Sequence, residues 1–279
     1  MDAFLGMPEK LEIDGFAIIP GLIPQALIAP AVKAIKERVD VALQGYNIEP
    51  GPDFQGLIHA KARFHQSPAE WPGIKFGAHS MRGWMQSSGT GRIFDNWNDP
   101  SVVAVQEACR GLAAALLEVP LGSLHRVHER CSVKVPGCPE FGAHLDRNRE
   151  HGFQIIVALS DTKFLLWPGS HKHHVPGGDA DGFYALTPAE IEELPQPRME
   201  VDARAGDVCA MVGGKTVHGS VAVPRGSGDR FMTYANYETS YERALEAECY
   251  ESKSRIANFK KKEVRSRLVQ EGDARSQLD

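Results

Sequence analysis

The sequence lacks a basic excess and a disulfide pattern. Its 279 residues include 31 Lys and Arg against 36 Asp and Glu, for a formal net charge of −5. Non-specific nucleic-acid binding depends on clustered cations that neutralise phosphates, and this balance supplies no global excess of them. Five cysteines are scattered without a CxxC pair, which favours reduced thiols over a disulfide framework or a zinc knuckle. We therefore expect no nucleic-acid partner and a reducing environment.

Signals for export and for membrane insertion are also missing. Residues 1–16 contain no basic segment followed by an apolar run, and no stretch approaches eighteen uninterrupted apolar residues. A repeat of fixed period, the mark of a solenoid or propeller, is not visible either. We therefore expect a cytoplasmic protein with no membrane partner, and the sequence carries no signal for an oligomeric state.

Helical periodicity dominates the first 120 residues, after a short predicted strand at Phe16–Ile19. Apolar residues recur at helical spacing after residue 24, and Pro30 within that run predicts that the regular helix begins there. Asp99 before Pro100 predicts the N-cap of a second helix, whose apolar positions continue at steps of three and four towards residue 116. Residues 45–95 are rich in Gly, Pro, His and Trp, which predicts a long loop region with short elements that shape a pocket.

From residue 124 onward, strand patterns replace helical ones. Runs bounded by Gly and Pro predict strands at 124–135, 153–159, 163–167, 207–212, 216–223 and 230–237. Strands at such short spacing indicate a sandwich or a barrel. The charged tail is predicted to be helical, with the basic run 260–262 on a solvated face. The sequence thus predicts one α+β domain over 1–279, with a helical and loop-rich part to about 120, a β core over about 124–237 and a tail over about 241–279.

One pattern carries chemistry: His144 and Asp146 form the single HxD motif of the chain. Residues i and i+2 of an extended strand face the same side, so one imidazole and one carboxylate would converge. His218, on a later predicted strand, would complete a set of two imidazoles and one carboxylate, which leaves three positions of iron(II) open for a bidentate cosubstrate and dioxygen. A single HxD motif can arise by chance in a chain with eleven histidines. A single histidine on a strand, such as His218, can equally be a core or surface residue. The combination predicts a metal site.

Two cations are candidates for binding the cosubstrate. Arg230 follows His218 by twelve residues on the next predicted strand, and a guanidinium matches a carboxylate such as the distal one of 2-oxoglutarate. The strand before HxD carries a polar face made of Arg126, His128, Arg130, Ser132 and Lys134. Its apolar face is expected to pack on the N-terminal helices, while the polar face lines the barrel mouth or meets water. In the first case we expect the substrate or cosubstrate there to be anionic, and Lys134 or Ser132 to contact 2-oxoglutarate.

The chain resembles the phytanoyl-CoA dioxygenase superfamily of iron(II)- and 2-oxoglutarate-dependent oxygenases. The similar segments are Ile13–Leu22, the HxD motif, the Pro-Gly-Ser-His turn within Trp167–Lys172, Ala205–Val208 and His218–Ser220. The resemblance implies a double-stranded β-helix of the jelly-roll or cupin-like type, flanked by N-terminal and C-terminal helices. It implies Fe(II) on His144, Asp146 and His218, and 2-oxoglutarate on Arg230 with help from Ser220. The chain departs from the family by a shortened connection after residue 159, so no substrate contacts are carried over from that edge.

The resemblance also implies an activity. It is that of an Fe(II)- and 2-oxoglutarate-dependent dioxygenase, which uses O2 to hydroxylate or otherwise oxidise an unactivated C–H bond of a small, polar or anionic molecule and releases succinate and CO2. Because Asp146 keeps the carboxylate that halogenases replace by Gly or Ala, we expect hydroxylation rather than halogenation. Two alternatives stay open. One is a cupin-like metalloenzyme that does not use 2-oxoglutarate, and the other is a non-catalytic binding protein on the same scaffold.

Overall fold

The computed structural model describes residues 6–45, 74–76, 90–93, 99–127, 131–146, 152–175 and 183–240. Its helices there are α1 (Met7–Asp14), α2 (Gln25–Gly45), α3 (Pro100–Ala108), α4 (Arg110–Leu117) and α5 (Pro188–Glu192). Two 3₁₀ turns cover Leu121–Ser123 and Ser170–Lys172. Two predicted segments lie outside the described residues. They are the helical tail from residue 241, with its basic run, and most of the loop region at 45–95.

The described strands are numbered in chain order. They are β1 (Phe16–Ile19), β2 (Ile74–Phe76), β3 (Thr90–Ile93), β4 (His125–Arg126), β5 (Cys131–Lys134), β6 (Phe141–Asp146), β7 (Phe153–Ala158), β8 (Thr162–Leu166), β9 (Phe183–Ala185), β10 (Met199–Ala203), β11 (Val208–Val212), β12 (His218–Ser220), β13 (Arg230–Tyr234) and β14 (Tyr237–Glu238). All pairings recorded among them are antiparallel.

Two sheets form the core. One has seven strands in the order β1-β11-β7-β13-β5-β3-β2, the other five in the order β10-β8-β12-β6-β9, and β4 pairs with β14 in a small ribbon. Side chains from both sheets meet between them: Ile156 and Met232 of the first pack with Phe164 and Leu166 of the second. Two facing antiparallel sheets flanked by helices confirm the predicted α+β class with a double-stranded β-helix core.

Strand alternation decides which face of the larger sheet meets the helices. On β7, Ile155 and Val157 pack with the buried residues of α1 to α4, while Ile156 and Ala158 point between the sheets. On β5, Cys131 and Val133 join the helical side in the same way. The apolar face predicted for this strand therefore packs on the N-terminal helices, and its alternate residues turn towards the other sheet.

The predicted start of the first long helix is wrong. The helix α2 begins at Gln25 and contains Pro30, rather than starting at that proline. A proline removes only the bond from its own amide to the carbonyl four residues earlier, close to the start of this helix. Burial of Ile28, Ala31 and Ile35 along one face offsets that local loss. The Asp99 cap is present, since its Oδ1 accepts from the Ser101 amide at 2.9 Å.

Several elements differ from the sequence pattern. The predicted second helix is divided into α3 and α4 at Cys109, whose amide donates to the Gln106 carbonyl. Strands β9 and β10 were not predicted, and β6 was predicted only as extended chain at its HxD motif. Strand β10 alternates apolar and polar residues, but it lies at a sheet edge and is largely exposed. Strands β1, β2 and β3 add to the seven-stranded sheet from the N-terminal part. None of the described helices has the length and apolar character needed to cross a bilayer.

Candidate metal centre

Pairing of β6 with β12 brings the three predicted metal ligands together. His144 and His218 are direct cross-strand partners, and their ring centroids lie 4.2 Å apart. Asp146 lies two residues further along β6, with its Oδ1 3.9 Å from His144 Nε2 and its Oδ2 3.5 Å from His218 Nε2. One ligand atom from each of the three lies within 4.8 Å of the others, which is the spacing of donors that can share one ion.

Backbone carbonyls orient both imidazoles. His144 Nδ1 lies 3.0 Å from the Gly142 carbonyl oxygen, and His218 Nδ1 lies 3.0 Å from the Thr216 carbonyl oxygen. A carbonyl oxygen can only accept, so each Nδ1 carries a hydrogen, and in the neutral imidazole Nε2 then presents its lone pair. Both Nε2 atoms are the ones near Asp146, as expected when an outer hydrogen bond selects the ligating tautomer. Both histidines are buried, at 5% and 6% exposure.

Gly219 allows the close approach of the two ligand-bearing strands. A Cβ built at this position would overlap the carbonyl oxygen of Phe141 on β6. The register also shifts between His218 and Ser220, which pair with His144 and Phe141 respectively. Only a residue without a side chain fits this irregular crossing, so the histidine spacing depends on glycine at 219.

The Pro-Gly-Ser-His turn supports the segment that leads into His218. Ser170 is fully buried, and its Oγ accepts from the Val217 amide at 2.9 Å. Thr216, whose carbonyl orients His218, donates its hydroxyl to the Gly15 carbonyl at 2.7 Å. The turn and the α1–β1 corner thus hold the two residues that precede the second histidine ligand.

His171 of the same turn serves as packing rather than as a metal ligand. Its Nε2 lies 3.1 Å from the Glu12 carbonyl oxygen, and its Nδ1 is buried without a hydrogen-bond partner among the described residues. Gly15 has a φ of 83° and lies so close that a Cβ there would overlap the His171 ring. The described residues include one group of three or more potential ligands, and His171 is not in it.

A cavity between the sheets adjoins the His/Asp/His cluster. Its polar lining includes Ser132, Lys134 and Ser220 as well as the three candidate ligands. Lys134 is only 4% exposed, and its ammonium donates to Ser220 Oγ and lies 5.4 Å from the centre of the Phe141 ring. The remaining walls are mainly apolar: Phe141, Ile156, Phe164, Leu166, Met211, Met232 and Tyr234. The cavity therefore combines the candidate metal ligands with a buried lysine.

Arg230 lies on the inward-facing register of β13 but does not line this cavity. It is the cross-strand partner of Lys134, and its Nη1 donates to the Val221 carbonyl at 3.4 Å. Partial burial lowers the pKa of its guanidinium. Of the two cations predicted to bind the cosubstrate, Lys134 thus contacts the cavity together with Ser220, while Arg230 lies beside them towards the end of β12.

The predicted polar face of the strand before HxD is divided. Ser132 and Lys134 reach the cavity, whereas Arg126 donates to Gln106 Oε1 at 2.6 Å and lies 3.5 Å from Glu107. Residues 128–130 lie outside the described residues. The division arises because Arg126 belongs to the separate β4–β14 ribbon, next to α3.

The described cysteines take no part in this site. Cys109, Cys131, Cys138 and Cys209 are buried, unpaired thiols. Burial raises the pKa of Cys109 and of Cys131 to about 12, so neither is a thiolate near neutral pH. They behave as small core residues, consistent with the reduced state predicted from their spacing.

Sequence reasoning missed one residue beside the ligands. Gln154 on β7 donates its side-chain amide to Asp146 Oδ2 at 2.9 Å. The signal was available as a single amide at an inward position of an otherwise apolar strand, in Phe153-Gln154-Ile155-Ile156. Its partner was not readable, because β6 and β7 belong to different sheets.

Solved structures of low sequence identity share this fold. The non-heme alpha ketoglutarate dependent epimerase SnoN from nogalamycin biosynthesis is similar, with a TM-score of 0.57 and 18% identity over 85% of this chain and 83% of that chain. The non-heme alpha ketoglutarate dependent carbocyclase SnoK gives 0.55 and 17% over 82% and 81%. AviO1 from Streptomyces viridochromogenes Tue57 gives 0.50 and 21% over 82% and 92%. No protein-family model and no curated protein matches the chain. These likenesses show the fold alone.

Proposed function

We propose that this protein is an Fe(II)- and 2-oxoglutarate-dependent dioxygenase that oxidises a C–H bond of a small molecule. The observation that carries the proposal is the His144, Asp146 and His218 cluster at a cavity that also contains Lys134. Two neutral imidazoles and one carboxylate suit a divalent iron and leave coordination positions for a chelating 2-oxo acid and O2. A buried cation in the same cavity suits the second carboxylate of that acid.

The similar solved structures support the choice of cofactors. SnoN has been crystallised with Fe3+, alpha ketoglutarate and nogalamycin RO, and shares the fold of this chain at a TM-score of 0.56. One of these proteins is an epimerase and another a carbocyclase, so alpha ketoglutarate dependent proteins of this fold have more than one activity. For this chain we propose hydroxylation as the outcome, and halogenation is disfavoured because Asp146 retains its carboxylate.

The proposed reaction balances because 2-oxoglutarate is oxidised together with the substrate. Bound iron and 2-oxoglutarate supply a two-electron oxidation, in which O2 places one oxygen atom in succinate and the other in the substrate as the C–H bond becomes C–OH, with release of CO2. The protein holds His144 and His218 in the Nε2-ligating tautomer through the two carbonyls described above. Apolar walls such as Phe164, Leu166 and Met211 exclude water from the cavity during the oxidation.

We assign the distal carboxylate of 2-oxoglutarate to Lys134 and Ser220. Lys134 is buried against the cavity and already donates to the Ser220 hydroxyl, so both donors are oriented before the ligand arrives. Arg230 is placed beside them as an additional cation, since it pairs with Lys134 across β5 and β13. In this assignment Lys134 makes the closest ionic contact, and Arg230 reinforces the positive potential at that end.

Oxygen-dependent turnover of 2-oxoglutarate tests the proposal. Protein loaded anaerobically with Fe(II) and 2-oxoglutarate is mixed with oxygenated buffer and a panel of small molecules, and succinate is quantified. We expect slow basal succinate release, a rise with the correct substrate, and loss of both in Asp146→Ala and His218→Ala. Arg198→Ala, which breaks an exposed ion pair with Glu140 on the surface, is the matched control and should retain activity.

Two other outcomes of this experiment would favour the two alternative functions. Tight iron binding without any succinate would favour a metalloenzyme that does not use 2-oxoglutarate. Failure of the folded protein to retain iron under anaerobic loading would favour a non-catalytic binding protein. Full activity in either ligand variant would contradict the assignment of the metal site.

A further inference from the structure

A buried side-chain amide, that of Gln154, donates a hydrogen bond to the candidate ligand Asp146. Gln154 lies on β7 of the seven-stranded sheet and is 2% exposed. Its Nε2 donates to Asp146 Oδ2 at 2.9 Å, and Asp146 belongs to β6 of the five-stranded sheet. The hydrogen bond therefore joins the two sheets at the metal centre.

Burial makes this position costly for an amide unless it is hydrogen-bonded. Burying an amide without a partner leaves its desolvation uncompensated, and the neighbouring positions on β7 are filled by apolar residues such as Ile155, Ile156 and Val157. An apolar side chain at 154 would pack without that cost. The strand thus carries a polar residue where the fold alone favours an apolar one, and its amide is directed at a candidate metal ligand.

Each of the three candidate ligands is then held by its own outer contact. His144 and His218 are oriented by the Gly142 and Thr216 carbonyls, but those bonds do not restrain rotation of the Asp146 side chain. The Gln154 amide does so, from the opposite sheet. Because an amide carries no net charge, it orients the carboxylate without competing with a cation for it, as the ammonium of a lysine or the guanidinium of an arginine would.

We propose that Gln154 is a positioning residue of the metal centre, which holds the Asp146 carboxylate in the orientation that faces both imidazoles. The inference rests on the proposed function, because it assumes that Asp146 binds a metal. It extends the site from the five-stranded sheet, which carries all three candidate ligands, to the seven-stranded sheet. Outer contacts of this kind typically contribute 10- to 100-fold to metal affinity or activity.

Metal binding by the full-length apoprotein tests the inference without turnover. Co(II) alone is titrated into metal-free protein, and visible absorption reports both the dissociation constant and the ligand field. We expect Gln154→Leu and Gln154→Met to weaken Co(II) binding about 10- to 100-fold and to alter the spectrum at saturating Co(II). Met is the second variant because its unbranched chain follows the shape of glutamine without a donor.

Gln106→Leu is the matched control. Gln106 is equally buried, and its amide donates to Thr233 Oγ1 at 3.1 Å and to the Tyr234 carbonyl at 3.0 Å, away from the candidate ligands. We expect it to lower the thermal midpoint of the apoprotein while leaving the Co(II) affinity and spectrum unchanged. A general loosening of the fold would affect both glutamine variants alike, whereas positioning of Asp146 affects Gln154 alone.

Failure of the inference and failure of the proposed function give different results. Wild-type Co(II) affinity and spectrum in a folded Gln154 variant, together with lost binding in Asp146→Ala, would overturn the positioning role and keep the metal site. Wild-type binding in Asp146→Ala would overturn the metal site itself. Equal loss of affinity in the Gln154 and Gln106 variants would also overturn the positioning role.

Discussion

Replacing Lys134 by methionine separates cosubstrate binding from folding. Lys134 is 4% exposed, lines the cavity and donates to Ser220 Oγ. Methionine keeps the length and the apolar stem of the side chain but removes the charge. In the proposed complex the change deletes the ionic hydrogen bond to the distal carboxylate of 2-oxoglutarate, while the metal ligands on β6 and β12 are untouched.

The expected loss follows from the type of bond. Hydrogen bonds to charged groups contribute about 1.5–3 kcal/mol, which corresponds to a roughly 10- to 150-fold higher dissociation constant. Anaerobic calorimetric titration of 2-oxoglutarate into metal-loaded protein measures it. Because methionine removes a buried charge, we expect the thermal midpoint of the apoprotein to stay the same or to rise, so weaker binding would not reflect unfolding.

Arg230→Met is the comparison that tests the assignment. Arg230 does not line the cavity and donates to the Val221 carbonyl, so its removal should weaken 2-oxoglutarate binding less than the Lys134 change does. Unchanged affinity in Lys134→Met would refute the assignment. A greater loss in Arg230→Met would transfer the carboxylate to that arginine, as the sequence first indicated.

Three further predictions concern the scaffold. Gly219→Ala should abolish Co(II) binding in a chain that still folds, because its Cβ would overlap the Phe141 carbonyl; wild-type affinity would contradict this. Burial lowers the pKa of His171, so the stabilising contribution of the neutral ring is complete above about pH 6.5 and is lost as the pH falls through the lowered pKa. The thermal midpoint of the apoprotein should therefore decline less steeply with acid in His171→Gln than in the wild type. Identical slopes would contradict this prediction. Cys109 and Cys131 should resist iodoacetamide at pH 8 until the protein unfolds, as read by peptide mass spectrometry, and rapid labelling would contradict their burial.

Local sequence patterns predicted the helices and strands whose hydrogen bonds or apolar periodicity lie within a few residues. The Asp99 cap needs only the amides of its own first turn, and strands such as β7 and β11 repeat apolar residues within a few positions. The bounds of strand β6 were not predicted, although its HxD motif was placed on extended chain, because Gly142 and the polar His144 and Asp146 interrupt its apolar pattern. The Pro30 error has the opposite cause, since burial against the sheet overrides a local helix signal.

In the candidate site, too, some features were predicted from local sequence and others depend on strand pairing. HxD was visible because two residues apart on a strand share a face, and His218 was added on chemistry and resemblance rather than on proximity. Their convergence depends on a pairing across 74 positions of sequence, in which His144 faces His218. The choice of Lys134 over Arg230 for the cavity likewise depends on how far each inward-facing cation lies along its strand, which alternation alone does not specify.

By itself, the sequence determined the chemical types of the site and the class of the fold, because ligand identity and hydrophobic period are properties of residues and their nearest neighbours. The tertiary structure alone decided which distant polar groups meet: Gln154 with Asp146 across two sheets, Thr216 with the Gly15 carbonyl, and Lys134 with Ser220 at the cavity. Those contacts depend on long-range strand pairing and sheet packing, whose geometry is set by the whole core rather than by any short segment.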